Sequence, residues 1–258
     1  MRDETVKRHD TPDKGQPVMP FYIMCDVSWS MNQDMAALNA MLRRLFEAIS
    51  EDPICNDIAQ VCLMKFSDDA STVISLRRPK EALSALPELQ YENGTNYSSA
   101  FRATRSTLEA DIAGLKGSDF KVHRPVVFFL TDGEPNDEQE WYPAFQSTLM
   151  YNPTSKSGFM QHPYFVPIGF RDAEEDTLKK LAFPPEKSKW YRATTLDVDA
   201  LFTALHKIIL NTILTTGKAA QNKDDDPTAD SGSVYQFPDK ADLKDVDSGE
   251  GEYDPEFV

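Results

Sequence analysis

One stretch, Val18 to Ser30 (VMPFYIMCDVSWS), constrains this chain more than any other. Its first half is an unbroken apolar run, the pattern of a strand covered on both faces of a parallel sheet. The run ends abruptly in Asp26, Ser28 and Ser30, three oxygen-bearing side chains at every second position, and a helical pattern follows from about Gln33. In open α/β sheets ligands sit outside the carboxyl ends of the strands. A carboxylate with hydroxyls at such a place suits a hard divalent cation. The competing reading is that Ser28 and Ser30 cap the next helix.

Downstream, strands and helices alternate. The helix expected over about 33–50 carries Leu38, Met41, Leu42, Leu45, Phe46 and Ile49 at three-and-four spacing. Strands are expected at 58–66 and 71–76, joined by the polar turn Ser67-Asp68-Asp69, a pairing that puts one antiparallel edge on the sheet. A short helix follows at 80–86, then a loop with the Asn93-Gly94 turn signal, and a helix at 98–113. The apolar run 125–130 is a second central strand, ending in Thr131-Asp132-Gly133, with a helix at 137–150 after it. A loop carrying Pro153 and Gly158 leads to a strand at 164–168, and Asp172 with Glu175 has the spacing of a capping box for a helix reaching Leu181. A last strand at 190–193 and a helix at 198–214, stopped at Gly217, complete the pattern. The order argues for one doubly wound, mostly parallel α/β sheet flanked by helices.

Three units follow: a flexible polar segment over 1–17, one domain over 18–217, and an acidic disordered tail over 218–258. The formal net charge is −15, and the 36 residues from Lys223 onward hold nine Asp and three Glu against three Lys, a net −9 that leaves −6 for the rest. Such a balance disfavours nucleic acid and anionic membrane as partners. No stretch is expected to span a membrane, the nearest approach being 198–214 with Asp199, His206 and Lys207 inside it. The first residues have no apolar core of a signal peptide, and the three cysteines, Cys25, Cys55 and Cys62, lack any CxxC spacing. The expectation is a cytoplasmic protein with reduced, buried thiols.

Parallel strands carry their carboxyl ends to one sheet edge, so Asp26, Ser28, Ser30, Thr95 in its Gly-preceded loop, and Asp132 can converge there. Two carboxylates and three hydroxyls match Mg²⁺. In their order and spacing, Asp26-Val-Ser28-Trp-Ser30, Thr95 and Thr131-Asp132-Gly133 resemble the metal-ion-dependent adhesion site of von Willebrand factor A domains, and within that family the chain is most similar to bacterial TerY-like proteins of tellurium-resistance and stress operons. The resemblance implies that Asp26, Ser28, Ser30, Thr95 and Asp132 hold Mg²⁺ (or Mn²⁺) and that a protein partner completes the coordination with an Asp or Glu carboxylate, without catalysis. For TerY-like proteins it further implies a serine/threonine kinase or a metal-dependent protein phosphatase as neighbour.

One position departs from the family. Trp29 stands where a small residue, commonly Gly, is usual; it is strained if positive φ is required, exposed as a partner anchor, or folded onto neighbouring loops. Tyr91 and Tyr97 flank Thr95 and either pack or contact a ligand, and Glu134 and Asp137 either support the site or cap helices. The four histidines share no useful spacing. A carboxylate from Glu250 to Glu256 is a candidate to compete for the metal in cis. Two alternatives stay open. A Mg²⁺-dependent phosphatase or phosphotransferase of the haloacid-dehalogenase type needs a second Asp two positions after the first, where this chain has Ser28. The other is a scaffold of the same family that does not bind metal.

Overall fold

The computed structural model describes residues 15–137, 139–221, 236–240 and 243–252. The apolar run forms β1 (Pro17–Asp26), which lies parallel between β2 (Ala59–Phe66) and β5 (Val126–Thr131). Beyond β5 come β8 (Tyr164–Gly169), parallel to β5, and β9 (Lys189–Ala193), parallel to β8. β3 (Ala70–Arg77) closes one edge antiparallel to β2, and the two-residue β4 (Lys121–Val122) pairs with the start of β1.

β1 is hydrophobic all along because it is covered on both faces. Phe21, Ile23 and Cys25 enter a core with α1 (Met35–Glu51), α2 (Pro53–Ile58) and α7 (Val198–Gln221). Tyr22 and Met24 enter a second core with α4 (Tyr97–Gly117) and α5 (Trp141–Leu149), where Phe101, Phe129, Phe145 and Phe165 pack ring against ring. The period-two alternation of a strand therefore divides one apolar sequence between two layers. Two short helices, α3 (Pro79–Ser84) and α6 (Glu175–Leu181), complete the flanks. Together these make the expected doubly wound, mostly parallel sheet.

Several expectations are corrected. The first helix begins at Met35, because Trp29–Gln33 forms a separate 3-10 turn. The helix expected from Asp137 begins at Trp141, since the preceding loop is spent on caps described below. The loop with Pro153 and Gly158 is a hairpin of β6 (Tyr151–Asn152) and β7 (Ser157–Gly158). No capping box forms at α6: its N-cap is Glu174, without a side-chain cap bond. Gly217 does not stop α7, which runs to Gln221. There Gly217 packs against α2, where a β-carbon would lie 3.1 Å from Cys55 Sγ, so it serves close approach and not termination.

Two further corrections concern the C-terminal third. Residues 198–217 are, by length and composition alone, long and apolar enough to cross a membrane. Here that apolar surface is core: Leu205, Ile208, Ile209 and Ile213 are fully buried. The tail is not unstructured throughout. Val246–Glu250 forms β10, antiparallel to β9, and Leu243 and Val246 are buried. Both sheet edges are thus antiparallel where one was expected. The backbone hydrogen bonds of β9 and the apolar side of Leu243 and Val246 outweigh an acidic composition. Residues 222–235, 241–242 and 253–258 of the expected tail, and residues 1–14, lie outside the described residues.

Candidate metal centre

The strand order β10-β9-β8-β5-β1-β2-β3 reverses at β1: the chain leaves β1 for β2 and β3, then crosses back to β5 on the other side. The crevice at the carboxyl ends of β1 and β5 is therefore the topological switch point, where such sheets bind ligands. Cys25 pairs with Leu130 and Asp26 with Phe66, which brings Asp26 level with Thr131.

Four of the five expected residues form one chain of contacts. Ser28 N–H donates to Asp26 Oδ1 at 2.8 Å, Ser28 Oγ and Ser30 Oγ lie 2.9 Å apart, and Ser30 Oγ donates to Asp132 Oδ1 at 2.9 Å. Asp26 is 1% exposed and Asp132 is 3% exposed. Ser28 caps nothing: it precedes the 3-10 turn with no side-chain cap bond, which removes the capping alternative for it. Thr95 joins through its backbone and not its hydroxyl: Thr95 N–H donates to Asn136 Oδ1 at 2.7 Å and Asn136 N–H returns to Thr95 O at 2.8 Å. Its loop is drawn to β1 by Glu92 N–H donating to Val27 O at 2.6 Å. Gly94 is required in this loop, with φ of 65° and a β-carbon position 1.7 Å from Asp68 Oδ1.

Residues not singled out as ligands build the support. Thr131 Oγ1 donates to Asp26 Oδ2 at 2.9 Å, and the Tyr97 hydroxyl stands 2.9 Å from Thr131 Oγ1 and 2.8 Å from Gly133 O. Tyr97 is fully buried, T-shaped against Phe66 and Phe129, so it packs and orients at once. Asp137 accepts from Tyr97 N–H and Ser98 N–H at the start of α4, and also from the Ser98 hydroxyl. Glu134 accepts from Glu174 N–H and the Thr177 hydroxyl at the start of α6. Both acids cap helices, as acids after a strand commonly do.

The pairing of Asp34, which stands at the dipole-positive start of the first helix, with Arg171 was missed. Asp34 is wholly buried behind the 3-10 turn and takes two hydrogen bonds from the Arg171 guanidinium, at 2.5 and 2.6 Å. A sequence offers no signal for this pair, because its members lie 137 positions apart.

The electrostatics follow from burial. Desolvation first, and the neighbouring Asp132 charge second, push the Asp26 carboxyl up to about 7. Burial also raises Asp132, with Ser30 opposing. The Arg171 guanidinium, whose charge reaches Asp132, is committed to Asp34. Two buried carboxylates faced by hydroxyls are short of positive charge, which a divalent cation would supply. Asp26, Ser28, Ser30, Thr95 and Asp132 offer oxygen donors alone, which suit a hard ion; among the described residues no group of three or more His, Cys, Asp or Glu gathers as a metal site.

Trp29 opens the 3-10 turn and is absent from the positive-φ residues, so no strain arises; its side chain is 66% exposed. Tyr91 is exposed as well. Glu250 is excluded as a ligand in cis: it pairs with Lys189 at the start of β9, the sheet edge opposite the site, and Glu256 lies outside the described residues.

With that geometry in view, the family can be named. The von Willebrand factor type A domain profile matches residues 21–205, and the chain belongs to that family. Domains of this family are generally interaction and adhesion modules, commonly metal-dependent. Among solved structures it is similar to a von Willebrand factor type A protein from Catenulispora acidiphila (14% identity, TM-score 0.53, covering 78% of this chain and 43% of that one). Proximal thread matrix protein 1 from the mussel byssus, with a zinc-occupied adhesion-site motif, is similar at 15% identity and a TM-score of 0.52, over 78% and 49% of the two chains. The pilus adhesin SpaC from Lactobacillus rhamnosus GG matches at 15% and 0.52, over 78% and 31%. The chain thus spans less than half of each of these structures, and identities this low speak for the fold alone. No curated protein sequence matches it.

Proposed function

We propose that this chain is a non-enzymatic, divalent-metal-dependent protein-binding module. Asp26, Ser28, Ser30, Thr95 and Asp132 hold the ion, directly or through water, and Mg²⁺ or Mn²⁺ suits the all-oxygen set. The observation that carries this reading is the buried pair Asp26 and Asp132 linked through Ser28 and Ser30 at the switch point. Bound there, the ion supplies an electrophilic position for one carboxylate of a partner protein. The residues themselves orient the donors: Thr131 and the Ser28 N–H each hold one oxygen of Asp26.

The phosphatase reading gains nothing from the site, where Ser28 takes the place a general acid needs. A TerY-like role in a bacterial stress or tellurium-resistance system, with a serine/threonine kinase or metal-dependent phosphatase as partner, rests on sequence resemblance. A cytoplasmic location rests on three buried cysteines that form no disulfide among the described residues. The test is affinity capture from host lysate in Mg²⁺ against EDTA, with Asp26→Ala alongside. Retention by the wild type in Mg²⁺ alone supports the module; equal retention in every lane removes the metal from binding.

A further inference from the structure

The described residues expose four large apolar side chains, Trp29, Tyr91, Met160 and Leu196. Two of them border the metal centre. Trp29 lies between Ser28 and Ser30, and Tyr91 precedes Glu92, whose N–H binds Val27 O at 2.6 Å. These two exposed aromatics therefore sit on backbone segments joined by a hydrogen bond next to Ser28, at the rim of the metal centre. The wider rim is acidic. Asp68 and Asp69 follow β2, Asp172 is bonded through its N–H to Asp132 O, and Glu174 follows on the same loop; all four are exposed. The cations beside them are neutralised: Lys65 pairs with Glu92, and Arg171 with Asp34.

From this juxtaposition, and resting on the metal-bridging reading above, we infer the partner's chemistry: a basic segment carrying one Asp or Glu. The single carboxylate goes to the ion. A second acidic residue beside it meets the rim acids and is repelled, whereas Lys or Arg is attracted to them. The exposed faces of Trp29 and Tyr91 accept the alkyl stem or guanidinium of those basic residues, through apolar contact and cation–π attraction. The ion thus selects the carboxylate and the rim selects its setting. An acidic partner surface, the obvious guess for a metal-bridged contact, is rejected.

The test uses the full chain and a displayed peptide library with one fixed central Glu and randomised flanks, selected in Mg²⁺ and counter-selected in EDTA. Enrichment of Lys and Arg in the flanks is the expected result. Affinity of a selected peptide should then fall with rising salt, and Trp29→Ser should weaken it about tenfold or more. Trp29→Ser should leave Mg²⁺ binding, read by thermal shift without peptide, unchanged. Neutral or acidic flanks, or a Trp29→Ser variant that binds the peptide like wild type, overturn the inference while leaving the metal-bridged module standing. Selection that is indifferent to EDTA and to Asp26→Ala overturns both.

Discussion

Arg171 reaches across from the end of β8, in a left-handed backbone conformation with φ of 53°, to hold the fully buried carboxylate of Asp34 at the entrance to α1. The pair clamps the segment carrying Ser28 and Ser30 to the loop after β8, whose Asp172 N–H bonds Asp132 O. It also accounts for why Asp34, first residue before a helix, makes no cap bond of its own.

Removing one member of such a pair strands a buried charge. Arg171→Ala should therefore destabilise the protein by about 3 kcal/mol in urea unfolding. The double variant Asp34→Asn/Arg171→Ala should recover part of that loss, and strict additivity would show that the two do not act as a unit.

Metal binding should depend on pH with a fixed sign. Without metal, the folded protein holds a proton on Asp26 up to about pH 7, while the unfolded chain releases it near the usual carboxylate value, so this group's contribution to stability falls as pH rises through that window. A cation must displace the same proton. Apparent Mg²⁺ affinity should rise about tenfold from pH 6 to pH 8, measured by calorimetry. Asp26→Asn should abolish the metal response and raise the metal-free stability at pH 8.

His162 should report on acid unfolding. It is buried, stacked on Tyr151 and edge-on to Phe183, and desolvation lowers it to about 4. The unfolded imidazole takes a proton near 6.5 and the folded one does not, so its stabilisation is complete above 6.5 and lost as pH falls towards 4. The loss is on the order of 3 kcal/mol. His162→Gln should flatten the stability profile between pH 6.5 and 4, and an unchanged profile would place the acid sensitivity elsewhere.

Deleting residues after Gln221 should be costly, since β10 covers the edge of β9. Gly249 lies against Trp190, where a β-carbon would come within 2.9 Å of Nε1, and Leu243 and Val246 are buried. Losing the burial that Leu243 and Val246 contribute costs about 3 kcal/mol or more. Hydrogen exchange at Trp190 and Tyr191 should accelerate in the truncated chain; equal protection would mean that the strand contributes nothing.

Much of the sheet was legible because its signals are local. The unbroken apolar run of β1, the alternation of strands with amphipathic helices, and the Asn93-Gly94 turn each follow from near neighbours. So does the short antiparallel return of β3. The end of α7 was misread because Gly217 looks like a stop until Cys55, a long-range neighbour, is in place. β10 was hidden because Val246-Asp-Ser-Gly-Glu250 has no strand signature of its own; its pairing with β9 makes it a strand.

The chain by itself pointed to the candidate oxygens of the sheet edge: Asp26, Ser28, Ser30 and Asp132 at or just past the ends of apolar strands, and Thr95 in the loop before α4. Tertiary structure decided how those atoms are held. Thr131 and Tyr97 orient Asp26, Asn136 grips the Thr95 backbone, and Arg171 restrains Asp34. Such pairings depend on which strand ends become neighbours at the switch point. Residues from 34 to 137 positions apart have no periodic relation to read, and only the closed sheet brings them within a hydrogen bond.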